Sequence, residues 1–489
     1  MKNSFLKHFA IIGSGTFISM IIGFLTTPII TRVVDPIHYG KFSIFTMYSS
    51  IAMMILYLGL DQSMVRYFYD NTSDSYRQSL LFKCLKYPLV GTGIIVVLIL
   101  ILSISGIFNF NLGFPILLLV CIYTLIQIIY RFSLLLVRLQ YKSKLYSALG
   151  IIQKVSYVSV ALVLIFWGFM DDTFSLALAT VISALICLII SMIAEKRIWN
   201  ISIIDKSACK ISQKELLTYA YPYIFSMGIT TMFQYIDLMF LNIYCSYEEV
   251  GIYSSTITLV HVFSIVQTTF NTLWAPMAIE HYTQDKSDIS FYQKGNRIIT
   301  VIMFFIGYSL ILCKDVFAMI LGPQYREAAY ILPFLIFNPI MYTISETTVN
   351  GLVFMKKSKL QVVVSIGACL VNLIGNIILV PKLGPKGAAI STGISYIVFF
   401  TLRTILSNKY FYVDFHLKKI YLITFMAIVY ALYNTFVHFN VFSIVGYVIC
   451  VIVLLVIYKE TVIFVISYIK KLLLSLLATK RSKKGMDLY

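Results

Sequence analysis

Fourteen apolar stretches, each long enough to cross a bilayer, run through this chain of 489 residues, and the connections between them are alternately crowded with Lys and Arg and nearly bare of them. Crossing about 30 Å of hydrocarbon at roughly 1.5 Å per residue takes about 20 helical residues. The spans read as 9–31, 42–60, 87–107, 114–136, 145–169, 173–194, 216–244, 251–274, 298–321, 330–355, 360–380, 387–406, 420–438 and 441–458.

Lys and Arg in short loops stay on the cytoplasmic side, so their distribution orients the bundle. With the N-terminus inside, the inside segments hold 32 of the 39 basic residues, from Lys2 and Lys7 to the run between Lys459 and Lys484. The outside segments hold only Arg32, Lys41, Lys314, Arg326, Lys382 and Lys386, and Lys154 stays within a span. One missed or invented span would put the alternation out of phase from that point on. No such break occurs, so both termini are expected in the cytoplasm.

A composition of 59% hydrophobic and 12% charged residues describes a polytopic membrane protein rather than a soluble domain. The net charge of +18 would suggest nucleic acid in a soluble protein. Here the basic residues fall where anionic headgroups sit, so the expected partners are membrane lipids and no nucleic acid. Residues 1–31 form too long an apolar run for a signal-peptide core and are read as a retained first helix. The eight cysteines have no CxxC spacing and behave as small apolar packers, implying neither a disulfide framework nor a metal or other cofactor.

No connection is long enough for a catalytic domain, and GxxxxGK[ST], HExxH and GxSxG are all absent. Two classes remain: a transporter or flippase, which is not an enzyme, and a membrane-embedded polysaccharide polymerase or transferase. The latter usually needs a sizeable external loop, which this chain lacks.

Internal repetition favours the transporter class. After span one comes Asp35-Pro36-Ile37-His38-Tyr39-Gly40-Lys41-Phe42-Ser43, and after span seven comes Glu248-Glu249-Val250-Gly251-Ile252-Tyr253-Ser254. Each places an acid ahead of a glycine and continues Gly, any residue, aromatic, Ser, at an offset of 211 residues. A six-helix unit used twice, plus two further helices, accounts for fourteen. Because six is even, the repeats are parallel. The division is 1–210 for an N-terminal lobe of spans one to six, 211–410 for a C-terminal lobe of spans seven to twelve, and 411–489 for spans thirteen, fourteen and a basic tail.

The chain resembles the polysaccharide flippases of the multidrug/oligosaccharidyl-lipid/polysaccharide exporter superfamily. The resemblance rests on Gly13-Ser14-Gly15-Thr16, Tyr39-Gly40, Leu58-Gly59-Leu60-Asp61-Gln62 with Val65-Arg66-Tyr67-Phe68, and Tyr235-Ile236-Asp237-Leu238-Met239-Phe240-Leu241. It extends to Glu249-Val250-Gly251-Ile252-Tyr253, Trp274-Ala275-Pro276 and Gly384-Pro385-Lys386-Gly387-Ala388-Ala389. It implies an all-α fold of two six-helix lobes around a cavity that opens alternately to either side of a bacterial cytoplasmic membrane. It also implies movement of a polyprenyl-diphosphate-linked oligosaccharide to the outer leaflet, with a polysaccharide polymerase and glycosyltransferases as partners. A peptidoglycan-precursor flippase and a cation-coupled multidrug exporter of the same superfamily are the alternatives.

A diphosphate-sugar head needs a polar, cationic cavity, and ionisable groups within spans are functional candidates. Lys154, in the middle of span five, is expected to contact phosphate or sugar; a structural ion pair or snorkelling is the competing reading. Arg32 and Arg66, at opposite ends of spans one and two, could pass the diphosphate in and out or act as headgroup anchors. Asp237, Glu346 and Asp61 are candidates for ion coupling or gating, against a reading as packing partners of buried bases. Ser254, Thr258, His261, Ser264, Thr268 and Asn271 make one polar stripe in span eight, with His261 and Asn271 as candidate sugar contacts and helix packing as the alternative. Gly15, Ser19 and Gly23 form a row suited to close helix packing, and Pro28, Pro222, Pro333 and Pro339 favour kinks. The apolar tail from Thr461 to Leu477 reads as an extension of span fourteen or an interfacial helix.

Overall fold

Hydrocarbon offers no water to satisfy peptide groups, so apolar runs of this length close their backbone hydrogen bonds within the chain as helices. The computed structural model describes residues 2–104, 112–168, 170–200, 208–464 and 467, and every regular element among them is helical. Most of the Thr461–Leu477 tail lies outside the described residues.

The elements are α1 (Lys2–Thr31), α2 (Pro36–Tyr57), α3 (Leu60–Tyr67), α4 (Asp74–Ile104), α5 (Phe114–Leu139), α6 (Ser143–Trp167), α7 (Asp172–Ala194), α8 (Lys196–Trp199), α9 (Gln213–Tyr244) and α10 (Tyr247–Val260). They continue as α11 (Ser264–Gln284), α12 (Ser290–Leu312), α13 (Lys314–Ile320), α14 (Ala328–Leu335), α15 (Phe337–Thr348), α16 (Asn350–Phe354), α17 (Ser358–Leu383), α18 (Pro385–Asn408), α19 (Leu417–Phe436) and α20 (Val441–Ile457). Twelve helices among the described residues are long and apolar enough to span a bilayer, and the bent pair α2–α3 makes a thirteenth. The shorter apolar α20 occupies the fourteenth stretch, so each span read from the sequence coincides with helix.

The chain forms two compact units, one of Met1–Ile265, Met319–Ala328 and Asn372–Ala388, the other of Val266–Ala318, Ala329–Val371 and Ala389–Tyr489. In the first, the small-residue row of α1 lies on α6. A Cβ on Gly15 would sit 2.2 Å from that of Ser147, a Cβ on Gly150 would sit 3.2 Å from Ser19 Oγ, and a Cβ on Gly23 would sit 3.8 Å from Lys154 Cε. Close approach of this kind suits association in lipid, where packing rather than water exclusion holds helices together.

The two halves of the repeat meet in this unit at the crossing of α2 and α10. Asp35 caps α2, its carboxylate accepting from His38 N at 2.9 Å, with Pro36 in the first turn. Ser246 caps α10 at the matching position, with Glu249 completing a capping box. A Cβ on Gly40 would sit 1.9 Å from the Tyr247 carbonyl oxygen, and one on Gly251 would sit 2.0 Å from the Pro36 carbonyl oxygen. Residues 36 and 40 correspond to 247 and 251 at the same offset, so the contact is reciprocal, as a two-fold arrangement requires.

Span two is broken by 51° between α2 and α3, where Leu58 and Gly59 both have positive φ. Gly59 also passes close to α9, since a Cβ there would lie 2.6 Å from the Ala220 carbonyl oxygen. In the second unit, α12 packs on α15, with Gly307 making room for Ile340, and Tyr308 donates to the Ile423 carbonyl of α19 at 3.1 Å. Trp274, Tyr292, Phe354 and Phe411 form an aromatic cluster at its other end.

Candidate functional site

Lys154 is the twelfth of the 25 residues of α6, which puts it near mid-span. Its aliphatic part lies against Gly23 of α1, its side chain is exposed, and it has no hydrogen bond or ion pair among the described residues. An ammonium at this depth facing lipid would be strongly unfavourable. The chemistry open to it is attraction of an anion.

Arg32, just past the end of α1, and His261, at the break between α10 and α11, are likewise exposed, and their side chains make no hydrogen bond or ion pair among the described residues. Asn271 is half-buried on α11 and belongs to the second unit. Arg66, in the last turn of α3, lies 3.4 Å from Asp70 and 5.3 Å from the Tyr67 ring, a loose exposed pairing.

The three carboxylates are buried and each is held. Asp237 on α9 accepts from Tyr253 Oη of α10 at 2.6 Å and from Asn376 Nδ2 of α17 at 2.7 Å, and Asn376 in turn donates to Asn372. All four belong to the first unit, and the side chains of the other three place three oxygens and two amide nitrogens around the one acid. Glu346 on α15 pairs with Arg403 of α18 at 2.9 Å, and the same guanidinium donates to Ser345 at 2.6 Å while lying over the Tyr342 and Phe399 rings. Asp61 at the start of α3 pairs with Arg131 of α5 at 3.0 Å and accepts from the backbone and side chain of Gln62. Thus Glu346 and Asp61 have cationic partners, whereas the contacts above give Asp237 neutral donors.

Sequence reasoning gave no site role to Arg131, Arg403, Tyr253, Asn372 or Asn376. A signal for the last two was present, since two asparagines four apart in an apolar span share one helix face. Lys314 was likewise counted only as an outside loop residue. It is fully buried, donating to the carbonyls of Asn434 and Val437, and so caps the C-terminal end of α19. The Ser254 and Thr258 hydroxyls of the span-eight stripe donate to carbonyls one turn back.

The described residues thus form a many-spanned helical membrane protein in which two crossing helices repeat one sequence pattern. The chain belongs to the polysaccharide biosynthesis protein family, whose sequence profile matches residues 5–281. Among solved structures it is similar to a lipid II flippase, MurJ, in an inward closed conformation, with TM-score 0.64 and 14% identity over 94% of this chain and 99% of that one. It is also similar to a MATE transporter in complex with MaL6, with TM-score 0.52 and 11% identity over 82% of this chain and 93% of that one. No curated protein sequence matches it.

Proposed function

We propose that this protein moves a polyprenyl-diphosphate-linked oligosaccharide from the inner to the outer leaflet of a bacterial cytoplasmic membrane by alternating access, for synthesis of a surface polysaccharide. The observation that carries the reading is Lys154, an exposed mid-span ammonium with no counter-charge among the described residues, in a member of a polysaccharide biosynthesis family. An anionic diphosphate supplies the missing charge, while its polyprenyl tail stays in lipid. Arg32 and Arg66 serve as further cationic stations toward the two faces, with His261 and Asn271 as sugar contacts.

Coupling falls to Asp237, a buried carboxylate toward the outer end of span seven that Tyr253 and Asn376 hold in place. Each inward charge contributes about 2.3 kcal/mol per 100 mV of membrane potential. Glu346 and Asp61 act as paired elements that hold helices in register. The chain is organised as lobes 1–210 and 211–410 with 411–489 appended, both termini are cytoplasmic, and the product passes to a polymerase fed by glycosyltransferases.

The test uses purified protein in sealed vesicles loaded with lipid-linked oligosaccharide from cells making the polysaccharide. Transfer between leaflets that is lost in Lys154→Ala and partly kept in Lys154→Arg supports the reading, since Arg keeps the cation with altered geometry. Normal transfer by Lys154→Ala would assign Lys154 to packing alone. Vesicles that instead flip only lipid II would favour the peptidoglycan-precursor alternative.

A further inference from the structure

Helix α9 is exposed on two opposite faces of contrasting chemistry. At about 100° per residue, Tyr221, Phe225 and Met232 share one face. They are 60%, 57% and 43% exposed, as expected of side chains in lipid. Tyr223, Ser226, Thr230 and Gln234 share the opposite face within about 80° of arc, and these too are exposed. The flank between them is packed on α2, where Gly228 approaches Met54 Sδ within 3.7 Å of its would-be Cβ and Tyr235 donates to Ser50 at 2.9 Å.

A serine, a threonine, a glutamine and a tyrosine in line along about 16 Å of a membrane helix would be costly in hydrocarbon, so this face looks into water. The stripe has capacity to spare. Thr230 Oγ1 donates to the Ser226 carbonyl at 3.0 Å and keeps its lone pairs outward. The Gln234 side chain and the Ser226 hydroxyl make no hydrogen bond among the described residues. No Asp, Glu, Lys, Arg or His occurs from Leu216 to Ile236, so the face offers nothing to a phosphate beyond neutral dipoles.

From this face, we infer that the polar side of α9 reads the glycan of the substrate, with Gln234, Thr230 and Ser226 as specificity-determining residues and the Tyr223 ring as a stacking surface. Amide and hydroxyl groups donate and accept at once, as sugar hydroxyls do, and a phenol ring matches the apolar face of a pyranose. The diphosphate is left to Lys154, which separates recognition of the sugar from recognition of the charge. The inference rests on the proposed substrate class.

The experiment compares two probes in sealed vesicles: lipid-linked oligosaccharide extracted from cells making the polysaccharide, and the same material trimmed enzymatically to one sugar on its polyprenyl diphosphate. Thr230→Val and Gln234→Leu, singly and together, should slow transfer of the full oligosaccharide at least tenfold while changing the one-sugar probe less than twofold. Lys154→Ala should slow both, and Phe225→Leu or Met232→Leu on the lipid face should slow neither. Equal loss of both probes in the stripe variants, or no loss of either, would overturn the inference, the first pointing to a packing role or a protein partner on this face. Wild-type protein that moves neither probe would instead overturn the proposed function.

Discussion

Glu346 and Asp237 are buried carboxylates whose contacts differ, and the difference predicts different responses to substitution. Glu346 faces the buried guanidinium of Arg403 at 2.9 Å, so Glu346→Gln alone strands a cation and should cost about 3–5 kcal/mol of stability. Adding Arg403→Met should recover most of that loss in a thermal melt of the detergent-solubilised protein. A double variant no more stable than the single one would contradict the pairing. Asp237, held by Tyr253 and Asn376, should tolerate Asp237→Asn far better in the same melt, and in vesicles the variant should lose the dependence of flipping on an imposed gradient. Wild-type flipping that ignores both proton and sodium gradients would return Asp237 to a packing role. Sequence alone preferred Asp237 to Glu346 only for its place near the outer end of span seven, because what distinguishes their contacts is which helix faces meet. Arg403 lies 57 positions from Glu346 and Asn376 lies 139 from Asp237, and no local pattern joins them.

Helices in this protein are placed by their glycines as much as by their apolar faces. The reciprocal contact of Gly40 with Tyr247 and Gly251 with Pro36 leaves no room for a methyl group on either side. Gly40→Ala and Gly251→Ala should each cost about 1–3 kcal/mol by forcing α2 and α10 apart. Because both act on one crossing, the double variant should lose less than the sum. Strict additivity in thermal unfolding would mean that the two glycines do not share a contact. The repetition behind this crossing was legible in the sequence, since the turn glycines recur at one offset, but the contact between the two copies was not. Nor was the break in span two. Prolines were the expected kink sites, yet the sharp bend falls at Leu58–Gly59, where the passing α9 backbone beside Gly59, rather than any missing donor, marks the bend. The close row Gly15, Ser19 and Gly23 was readable because four-residue spacing of small side chains defines a helix face, and α6 occupies it.

At the scale of the whole molecule, hydropathy and length were sufficient to locate all fourteen stretches, because the bilayer imposes one dimension on every span. Orientation rests on the uneven distribution of Lys and Arg. Cysteines replacing His38, Glu249 and Gly384 should react with an impermeant thiol reagent added outside intact cells, and those replacing Gln140, Lys206 and Lys357 should react only after the membrane is opened. One reversed pair would overturn the topology. The substrate class is tested most directly by measuring appearance of lipid-linked oligosaccharide in the outer leaflet of sealed vesicles that hold this protein alone. The account predicts transfer that needs the wild-type Lys154, is partly kept by Lys154→Arg and is abolished by Lys154→Ala. Transfer no faster than in protein-free vesicles, or unchanged in Lys154→Ala, would contradict it.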